Sequence, residues 1–310
     1  MPILLEEELV DFMEKKEPFV SVITVNWNRK KDLLELLADL EKQTYPKLKI
    51  IVIDNGSTDG SINAVKRKFP KVKIIALQKN IGLHAGFNKG VKIAKGIIFG
   101  TDNDCRILDK NFFSHLIKKF KNKDVNIIAC SIKDFYSKKL TWDNPHHSFS
   151  GDLKNGYDCV RFTGAGFALH KRIFNEIGDF NEDFFIYHGE LEFSLKCIDA
   201  GYTCRYFPDL IVLKKASSIS RSTGLREFYS TRNFFWWCWL YLPFQYLALR
   251  MFGFRNLLAN FLRNEAREAD VKGILCAITK LPWVIRDRKP LQHSTIKKFF
   301  DSFNNYTNKF

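Results

Sequence analysis

Two aspartates lie two residues apart in Thr101–Cys105 (TDNDC), directly after the apolar segment at 96–100. A pair of carboxylates at a strand end suits a hard divalent cation, because Mg²⁺ and Mn²⁺ prefer oxygen ligands and often bridge protein carboxylates to substrate phosphates. The simpler interpretation of Asp102 and Asp104 is a solvated acidic turn. Their position after the expected fourth strand of an α/β unit favours a metal site over that alternative.

A second polar cluster, Val52–Asp59 (VIDNGSTD), lies at the end of an earlier apolar segment, residues 48–53. In open parallel sheets, ligands bind beyond the carboxyl ends of the strands. Asp54 sits at such an end and could accept a hydrogen bond from the imide N–H of a nucleotide base. Taken alone, however, the motif favours the simpler interpretation, which is a set of residues that form turns and cap helices.

The segment Asn80–Gly90 (NIGLHAGFNKG) predicts a close turn that leads into a helix near the same edge. A helix start of this kind can cradle a phosphate, which makes Asn80 a candidate ligand-binding residue. The segment is neither a dinucleotide-binding fingerprint nor a P-loop. Its His84 is isolated, which favours a loop or packing role over metal binding.

The segment at 162–192 combines a glycine turn, TGAG, with two glutamates that open a helix. The glycines let the backbone approach a ligand, and the helix dipole keeps Glu190 and Glu192 ionised. A carboxylate placed there could act as a general base towards a hydroxyl nucleophile. The ordinary preference for glutamate in a first helical turn is the alternative, and it is favoured for the motif taken alone.

Strands that alternate with helices must position these residues. Apolar, β-branched runs predict strands at 19–25, 48–53, 72–77, 96–100, 125–132 and 203–207. Helical spacing of apolar residues predicts helices at 30–43, 61–69, 85–94, 111–120 and 190–200, and 141–157 is expected to be a loop. The alternation indicates a mostly parallel sheet covered by helices, with right-handed crossovers.

The 310-residue chain is 45% hydrophobic, enough to bury a sizeable core, and its formal net charge of +15 implies an anionic partner. Residues 201–310 carry 18 Lys or Arg against 7 Asp or Glu. Nucleic acid, anionic lipid and phosphorylated small molecules are the candidate partners. Seven cysteines without a CxxC pair indicate reduced thiols and a cytosol-facing protein. Residues 1–17 predict a short amphipathic helix, and they lack the long apolar run of a signal peptide.

An aromatic run, NFFWWCWLYLPFQYLAL, occupies residues 233–249 and is flanked by Arg232, Arg250 and Arg255. It lies near the lower limit for a membrane span, about 17–25 residues, and Pro243 and Gln245 interrupt it. Trp and Tyr favour the headgroup zone of a membrane, so an interfacial helix or hairpin fits better than a span. A core helix of a C-terminal subdomain is an equally good interpretation, and both stay open.

Taken together, the order of these segments resembles glycosyltransferase family 2 with the GT-A fold, from Phe19 to Asn233. Within the family the chain looks most like the branch that includes rhamnosyltransferases and other enzymes of surface polysaccharide assembly. Six segments carry the resemblance: TVNWNR, VIDNGSTDGS, NIGLHAGFNKG, DND, FTGAGFALHKRIFNEIGDFNEDFF and GELEFSLKCIDAGY.

The resemblance implies roles for the residues at matching positions. The expected nucleotide-sugar-binding residues are Thr24, Asn26, Asp54, Asn80, Asp102, Asn103, Gly164, Ala165 and Lys214. Asp54 would contact the base, Asp102 and Asp104 would hold the ribose and a metal–diphosphate, and Glu190 would be the catalytic base.

Two departures from the family pattern concern the base and the metal. Gly189 stands where the family has the first acidic residue of a pair, and Glu190 replaces an aspartate in the second position. Lys214 stands where many relatives carry a histidine that helps to bind metal. A protonated lysine cannot ligate a metal but can contact a diphosphate as a point charge, so the expected Mg²⁺ or Mn²⁺ cofactor is in question.

The sequence thus predicts an N-terminal helix at 1–17, a GT-A domain at 18–225 and a helical, basic and aromatic extension at 226–310 that associates with membranes. The expected activity is inverting transfer of a hexosyl or deoxyhexosyl group from a nucleotide sugar to a glycan or lipid-linked acceptor. The expected location is cytoplasmic, peripheral at the inner face of an anionic cell membrane.

Three other classes of protein compete with this prediction. A non-catalytic carbohydrate- or membrane-binding protein with the same fold stays open because of Gly189 and Lys214. A nucleotidyltransferase is disfavoured because NWNRKK lacks the expected glycines. Nucleic acid is not an expected partner, since the Trp- and Phe-rich run favours lipid and no RNA-binding motif accompanies the basic charge.

Overall fold

The computed structural model describes residues 17–141, 144–145, 155–216, 223–246 and 268–307. The helix predicted at 1–17 lies outside the described residues except for Glu17. The same holds for much of the loop predicted at 141–157 and for the last residues of the aromatic run, 247–249.

The described strands form one mixed sheet in the order β3-β2-β1-β4-β8-β6-β9-β5, and β7 pairs with β9. Their bounds are β1 Val20–Asn26, β2 Leu48–Asp54, β3 Lys73–Ala76, β4 Ile97–Gly100, β5 Cys105–Arg106, β6 Ile127–Asp134, β7 Tyr157–Asp158, β8 Phe167–His170 and β9 Cys204–Lys214. The four strands β1 to β4 are parallel, as predicted. β8 runs antiparallel to both β4 and β6, and β6 is again parallel to β9.

The helices cover both faces of this sheet. Their bounds are α1 Lys30–Glu41, α2 Ser61–Lys68, α3 Leu83–Ile93, α4 Phe112–Lys119, α5 Lys171–Ile177, α6 Gly189–Asp199, α7 Thr223–Tyr241, α8 Glu268–Thr279, α9 Leu281–Arg286 and α10 His293–Thr307. The leucines of α1 and the paired phenylalanines of α4 pack on one face of the sheet. The apolar sides of α3, α5 and α6 pack on the other, so the predicted α/β architecture is confirmed.

One strand is longer than its pattern predicts. β9 was expected to end at Phe207, but it continues to Lys214 beyond an irregularity in its pairing with β6, where Phe207 pairs with Cys130 and Ile211 pairs with Ser131. Pro208 lies in this irregularity and has no backbone N–H to donate, which interrupts the strand pattern without ending the strand. The extension carries Lys214 to the sheet edge at which β5 pairs with β9.

The described part of the aromatic run packs inside the protein. Trp236 and Trp237 are each 1% exposed and belong to a core that α7 forms with α8, α9 and α10. Of the two open interpretations, the core helix is therefore the one realised in α7. Among the residues described, no helix is both long and apolar enough to cross a membrane.

Candidate active site

Asn26 links three strand ends at the carboxyl edge of the sheet. The register pairs Asn26 with Asp54, and its side-chain amide donates to Asp54 Oδ1 at 3.0 Å and to Ser57 Oγ at 3.1 Å. Asn103, beyond the end of β4, donates in turn to Asn26 Oδ1 at 2.8 Å. These three predicted residues are therefore brought together as one buried network.

Asp54 holds the turn that follows β2. Its second oxygen accepts a hydrogen bond from the backbone N–H of Ser57 at 2.8 Å, and the residue is only 1% exposed. Thr24 lies two residues before Asn26 on the same strand and is fully buried, with no hydrogen-bond partner for its hydroxyl among the described residues. Contact of Asp54 and Thr24 with a nucleotide stays a prediction.

Asn80 shapes the turn that leads into α3. Its side-chain oxygen accepts hydrogen bonds from the Asn55 side chain at 3.0 Å and from the backbone N–H of Gly82 at 2.9 Å. On the other side of β1, the hydroxyl of Thr101 donates to the carbonyl of Ala165 at 3.0 Å, which ties the TGAG turn to the end of β4. Both glycine-containing segments thus reach the same edge, as the sequence predicted.

Two ion pairs involve the acidic pair after β4. Asp102 pairs with Lys214 at 3.1 Å, and Asp104 pairs with Arg29 at 3.0 Å. The antiparallel pairing of β5 and β9 sets Cys105 opposite Lys214, which explains why the lysine lies beside Asp102. The protein itself therefore places two cationic groups where a diphosphate is expected.

Three potential metal ligands cluster after β4. Ligand atoms of Asp102, Asp104 and Cys105 lie within 4.8 Å of one another. Burial raises the pKa of the Cys105 thiol well above its usual range, so it stays protonated and is a poor ligand. The Asp104 side chain is wholly buried, whereas that of Asp102 is 22% exposed. The donors fit Mg²⁺ or Mn²⁺ through Asp102, in competition with Lys214.

Glu190 lies in the first turn of α6 and lines a small, partly open cavity together with Asp102, Gly164 and His84. His84 Nε2 lies 3.4 Å from Glu190 Oε2. Burial acts to raise the pKa of Glu190, but the hydrogen bond from His84 opposes it, and the net effect is a pKa below the ordinary value. Glu190 is thus ionised at neutral pH, as a proton acceptor must be.

Gly164 leaves room for the Glu190 carboxylate. A Cβ atom placed at position 164 would lie 2.6 Å from Glu190 Oε1 and 3.5 Å from Asp102 Oδ1. The second glutamate of the segment, Glu192, is instead a buried structural residue, since it accepts a hydrogen bond from Tyr241 at 2.5 Å and pairs with Lys196 at 3.2 Å.

The loop before Glu190 is held in an unusual backbone conformation. Phe185, Tyr187 and His188 have positive φ angles of 59°, 67° and 64°, which cost non-glycine residues on the order of 1–3 kcal/mol each. The buried side-chain amide of Asn233 on α7 donates to the carbonyls of Phe184 and Ile186, both at 2.7 Å, and of Tyr187 at 3.0 Å. Helix α7 therefore supports the loop that presents Glu190.

Sequence reasoning missed three residues of this site. His84 was judged isolated, yet it lies against Glu190, and Arg29 and Asn233 were not singled out. Only His84 had a signal in the sequence. Gly189 has no side chain, so the space beside the expected base had to be filled by a residue from elsewhere in the chain. Arg29 and Asn233 act across contacts that no local pattern reveals.

Comparison with known proteins gives a family match. The family model described as Glycosyl transferase family 2 matches residues 21–188, more than half of the chain. The match includes Asn26, Asp54, Asp102 and Gly164, and it ends before Glu190. The identity of the base therefore depends on the geometry above.

Three curated relatives illustrate the similarity. Glycosyltransferase AglE of Haloferax volcanii is 24% identical over 202 residues, covering 63% of this chain and 66% of the relative. Glycosyltransferase GlyG of Streptococcus pneumoniae is 28% identical over 178 residues, covering 51% and 58%. Cholesterol galactosyltransferase of Borreliella burgdorferi is 39% identical over 154 residues, covering 46% and 42%. The chain thus spans less than two thirds of each relative.

Two solved structures share the fold. Mannosyltransferase PcManGT from Pyrobaculum calidifontis, in complex with GDP-Man and Mn²⁺, superposes with a TM-score of 0.55 at 19% identity, over 92% of this chain and 79% of that one. S. aureus TarS 1–349, in complex with UDP-GlcNAc, superposes with a TM-score of 0.52 at 18% identity, over 70% and 65%. These likenesses confirm the predicted GT-A fold.

Proposed function

This chain belongs to glycosyl transferase family 2, and on that premise we propose that it inverts the anomeric configuration as it moves a sugar from a nucleotide-sugar donor to an acceptor hydroxyl. The single observation that carries the proposal is the Glu190 carboxylate in the first turn of α6, which shares a cavity with Asp102 beside the end of β4. A base and a donor-binding carboxylate that line one cavity suit displacement at a carbon held there.

Glu190 is the proposed general base. It takes the proton of the acceptor hydroxyl as the oxygen attacks the anomeric carbon on the face opposite the leaving diphosphate. A positioned base of this kind contributes about 10²–10⁴-fold to the rate. The helix N-terminus and the hydrogen bond from His84 support the ionised form that this role requires.

Lys214 and Arg29 supply positive charge on the side of the leaving diphosphate, one paired with each aspartate of the DND segment. Fixed cations next to developing negative charge lower the barrier for the departing group. A bound Mg²⁺ or Mn²⁺, with Asp102 as ligand and Asp104 behind it, would add positive charge to the same diphosphate. The nucleotide itself would lie along Thr24, Asn26, Asp54, Asn80 and Asn103.

The donor sugar is proposed to be a hexose or deoxyhexose, as in the rhamnosyltransferase-like branch, and the acceptor a glycan or a lipid-linked glycan of the cell envelope. The basic surplus of residues 201–310 supports a peripheral position at the inner, cytoplasmic face of an anionic membrane. The relative named cholesterol galactosyltransferase supports an acceptor with a lipid part.

The test begins with thermal melts of the purified chain against UDP-, dTDP- and GDP-sugars, with and without Mn²⁺. A ligand at 100 times its Kd stabilises by about 2.7 kcal/mol, so one nucleotide class should shift the midpoint. Failure of every nucleotide to shift a well-folded sample would refute the proposal and favour a binding protein that has kept the fold.

Turnover with the donor so identified tests the base. Glu190→Gln should keep the donor-induced shift and lose about 10²–10⁴-fold in turnover. Glu41→Gln, an exposed glutamate at the end of α1, is the matched control and should retain full activity. Full turnover by Glu190→Gln would show that the base has been assigned wrongly.

A further inference from the structure

The imidazole ring of His84 fills the space that a side chain at position 189 would need. A Cβ atom placed at position 189 would come within 3.0 Å of three ring atoms of His84, Nε2, Cε1 and Cδ2. The ring cannot easily move away, because His84 is 1% exposed and packs against Phe180 at a centroid distance of 5.6 Å. A side chain at position 189 and the imidazole at position 84 therefore exclude each other.

The imidazole is also anchored by its own helix. His84 lies in the first turn of α3, where the backbone N–H of Leu83 donates to the carbonyl of Phe185 at 2.6 Å. That carbonyl belongs to the loop that precedes Glu190. The helix carrying His84 and the segment carrying Glu190 are thus joined directly, which fixes the separation between the two side chains.

The ring has one nitrogen at the carboxylate and one without a partner. Nε2 lies 3.4 Å from Glu190 Oε2, and Nδ1 has no hydrogen-bond partner among the described residues. A neutral imidazole carries one N–H donor and one acceptor nitrogen. Placing the hydrogen on Nε2 makes it the donor to the carboxylate and leaves Nδ1 as the bare acceptor.

The two oxygens of Glu190 therefore face different surroundings. Oε2 is on the side of His84, whereas Oε1 is beside Gly164, at a point that also lies close to Asp102. A hydrogen bond to Oε2 fixes the rotation of the carboxylate and so fixes where Oε1 lies. The free lone pairs of Oε1 are left on the side of the cavity where the donor-binding carboxylate lies.

We propose that His84 is the positioning residue for Glu190, and that glycine at position 189 is required to make room for it. The Nε2–H of His84 holds Oε2, so that Oε1 points at the acceptor hydroxyl whose proton it takes. The inference rests on the proposed role of Glu190 as the base. It also gives a physical reason for the glycine at a position where the resemblance led us to expect an acidic residue.

The first experiment removes the hydrogen-bond donor at position 84 and then replaces it with a different one. With the nucleotide sugar that gives the largest thermal shift as probe, His84→Leu should lower the kcat for nucleoside diphosphate release on the order of 10–100-fold. The KM for the donor should stay unchanged, because His84 acts on the base and not on the nucleotide. His84→Gln, whose amide N–H can replace Nε2–H, should recover most of the loss. Equal losses in both variants, or an unchanged kcat in His84→Leu, would overturn the proposal.

A second experiment separates this proposal from the assignment of the base. His84→Leu should have little further effect in a Glu190→Gln background, since His84 acts only through Glu190. An equal further loss there would overturn the positioning role. If Glu190→Gln instead kept full turnover, that single variant would refute the assignment of the base, independently of the results for His84.

The claim that glycine at position 189 makes room for His84 is tested by melting temperatures, without any substrate. Gly189→Ala should lower the melting midpoint of the wild-type chain, and the same change in a His84→Ala background should cost clearly less. Contacting residues show such non-additivity, whereas independent ones add. Equal costs in the two backgrounds would overturn the claim that His84 and position 189 exclude each other.

Discussion

Asn233→Ala should destabilise the loop that presents Glu190. Its buried amide donates to three carbonyls of this loop, at distances of 2.7, 2.7 and 3.0 Å. The Phe184 carbonyl keeps Arg232 as a donor at 3.2 Å, so the substitution leaves the carbonyls of Ile186 and Tyr187 without their donor. Each buried polar group left without a partner costs about 1–3 kcal/mol. We therefore expect a loss of about 2–6 kcal/mol in the free energy of unfolding, measured by urea titration.

Hydrogen exchange can show that the loss of stability in Asn233→Ala is located in this loop. Hydrogen exchange at the amides of 184–190 should rise in Asn233→Ala by more than exchange in β1, because the residues with positive φ lose the contacts that hold them. Turnover should fall along with it, since Glu190 follows this loop. Donor binding, which we propose to depend on the strand ends that carry Asn26 and Asp54, should change little.

The matched control is Asn63→Ala, an exposed asparagine on α2. A surface substitution of this kind changes stability by less than about 0.5 kcal/mol. If Asn233→Ala were as stable as Asn63→Ala, with unchanged exchange at 184–190, the reasoning that α7 holds the loop would be refuted.

Three further predictions concern charge and burial. Lys214→Gln should increase the thermal shift that Mn²⁺ causes, because the ammonium that pairs with Asp102 at 3.1 Å no longer competes with the cation; an unchanged response to Mn²⁺ would argue against that competition. Burial lowers the pKa of His170 from 6.5 to about 4. Between these pH values the unfolded chain binds a proton at His170 and the folded chain does not. The free energy of unfolding should therefore fall by up to about 3 kcal/mol as the pH drops from 6.5 to 4. His170→Gln should flatten that pH dependence in urea titrations, and an unaltered slope would contradict it. Tyr241→Phe should cost about 1–3 kcal/mol, because the buried carboxylate of Glu192 loses a donor at 2.5 Å; melts no lower than wild type would show that this bond contributes nothing.

The elements around the site could be predicted because their signals are local. The leucines of α1 repeat with the helical period, and the β-branched run of β1 marks a buried strand. Alternation of strands and helices then places Asp54 and Asp102 at the same edge of a parallel sheet. The glutamates at the start of α6 could be recognised in the same way, by their position at a helix N-terminus.

The aromatic run shows where local signals fail. Its composition suits both a membrane interface and a protein core, because both environments bury Trp and Phe. Only the partners decide between them, and α8 to α10 supply those partners for Trp236 and Trp237. The strand pattern of β9 failed for a related reason, since pairing with β6 resumes beyond Pro208 regardless of the interrupted pattern.

What the sequence determined by itself was the order of the elements and the identity of the acidic residues at their ends, because both are encoded over a few neighbouring residues. Only the tertiary structure decided what those residues face. The register of β5 against β9 sets Lys214 beside Asp102, and the packing of α3 against α6 sets His84, 106 positions away in sequence, beside Glu190. Such pairs depend on how separate elements dock, and no local periodicity specifies the distance between side chains that meet only when the sheet and its helices have assembled.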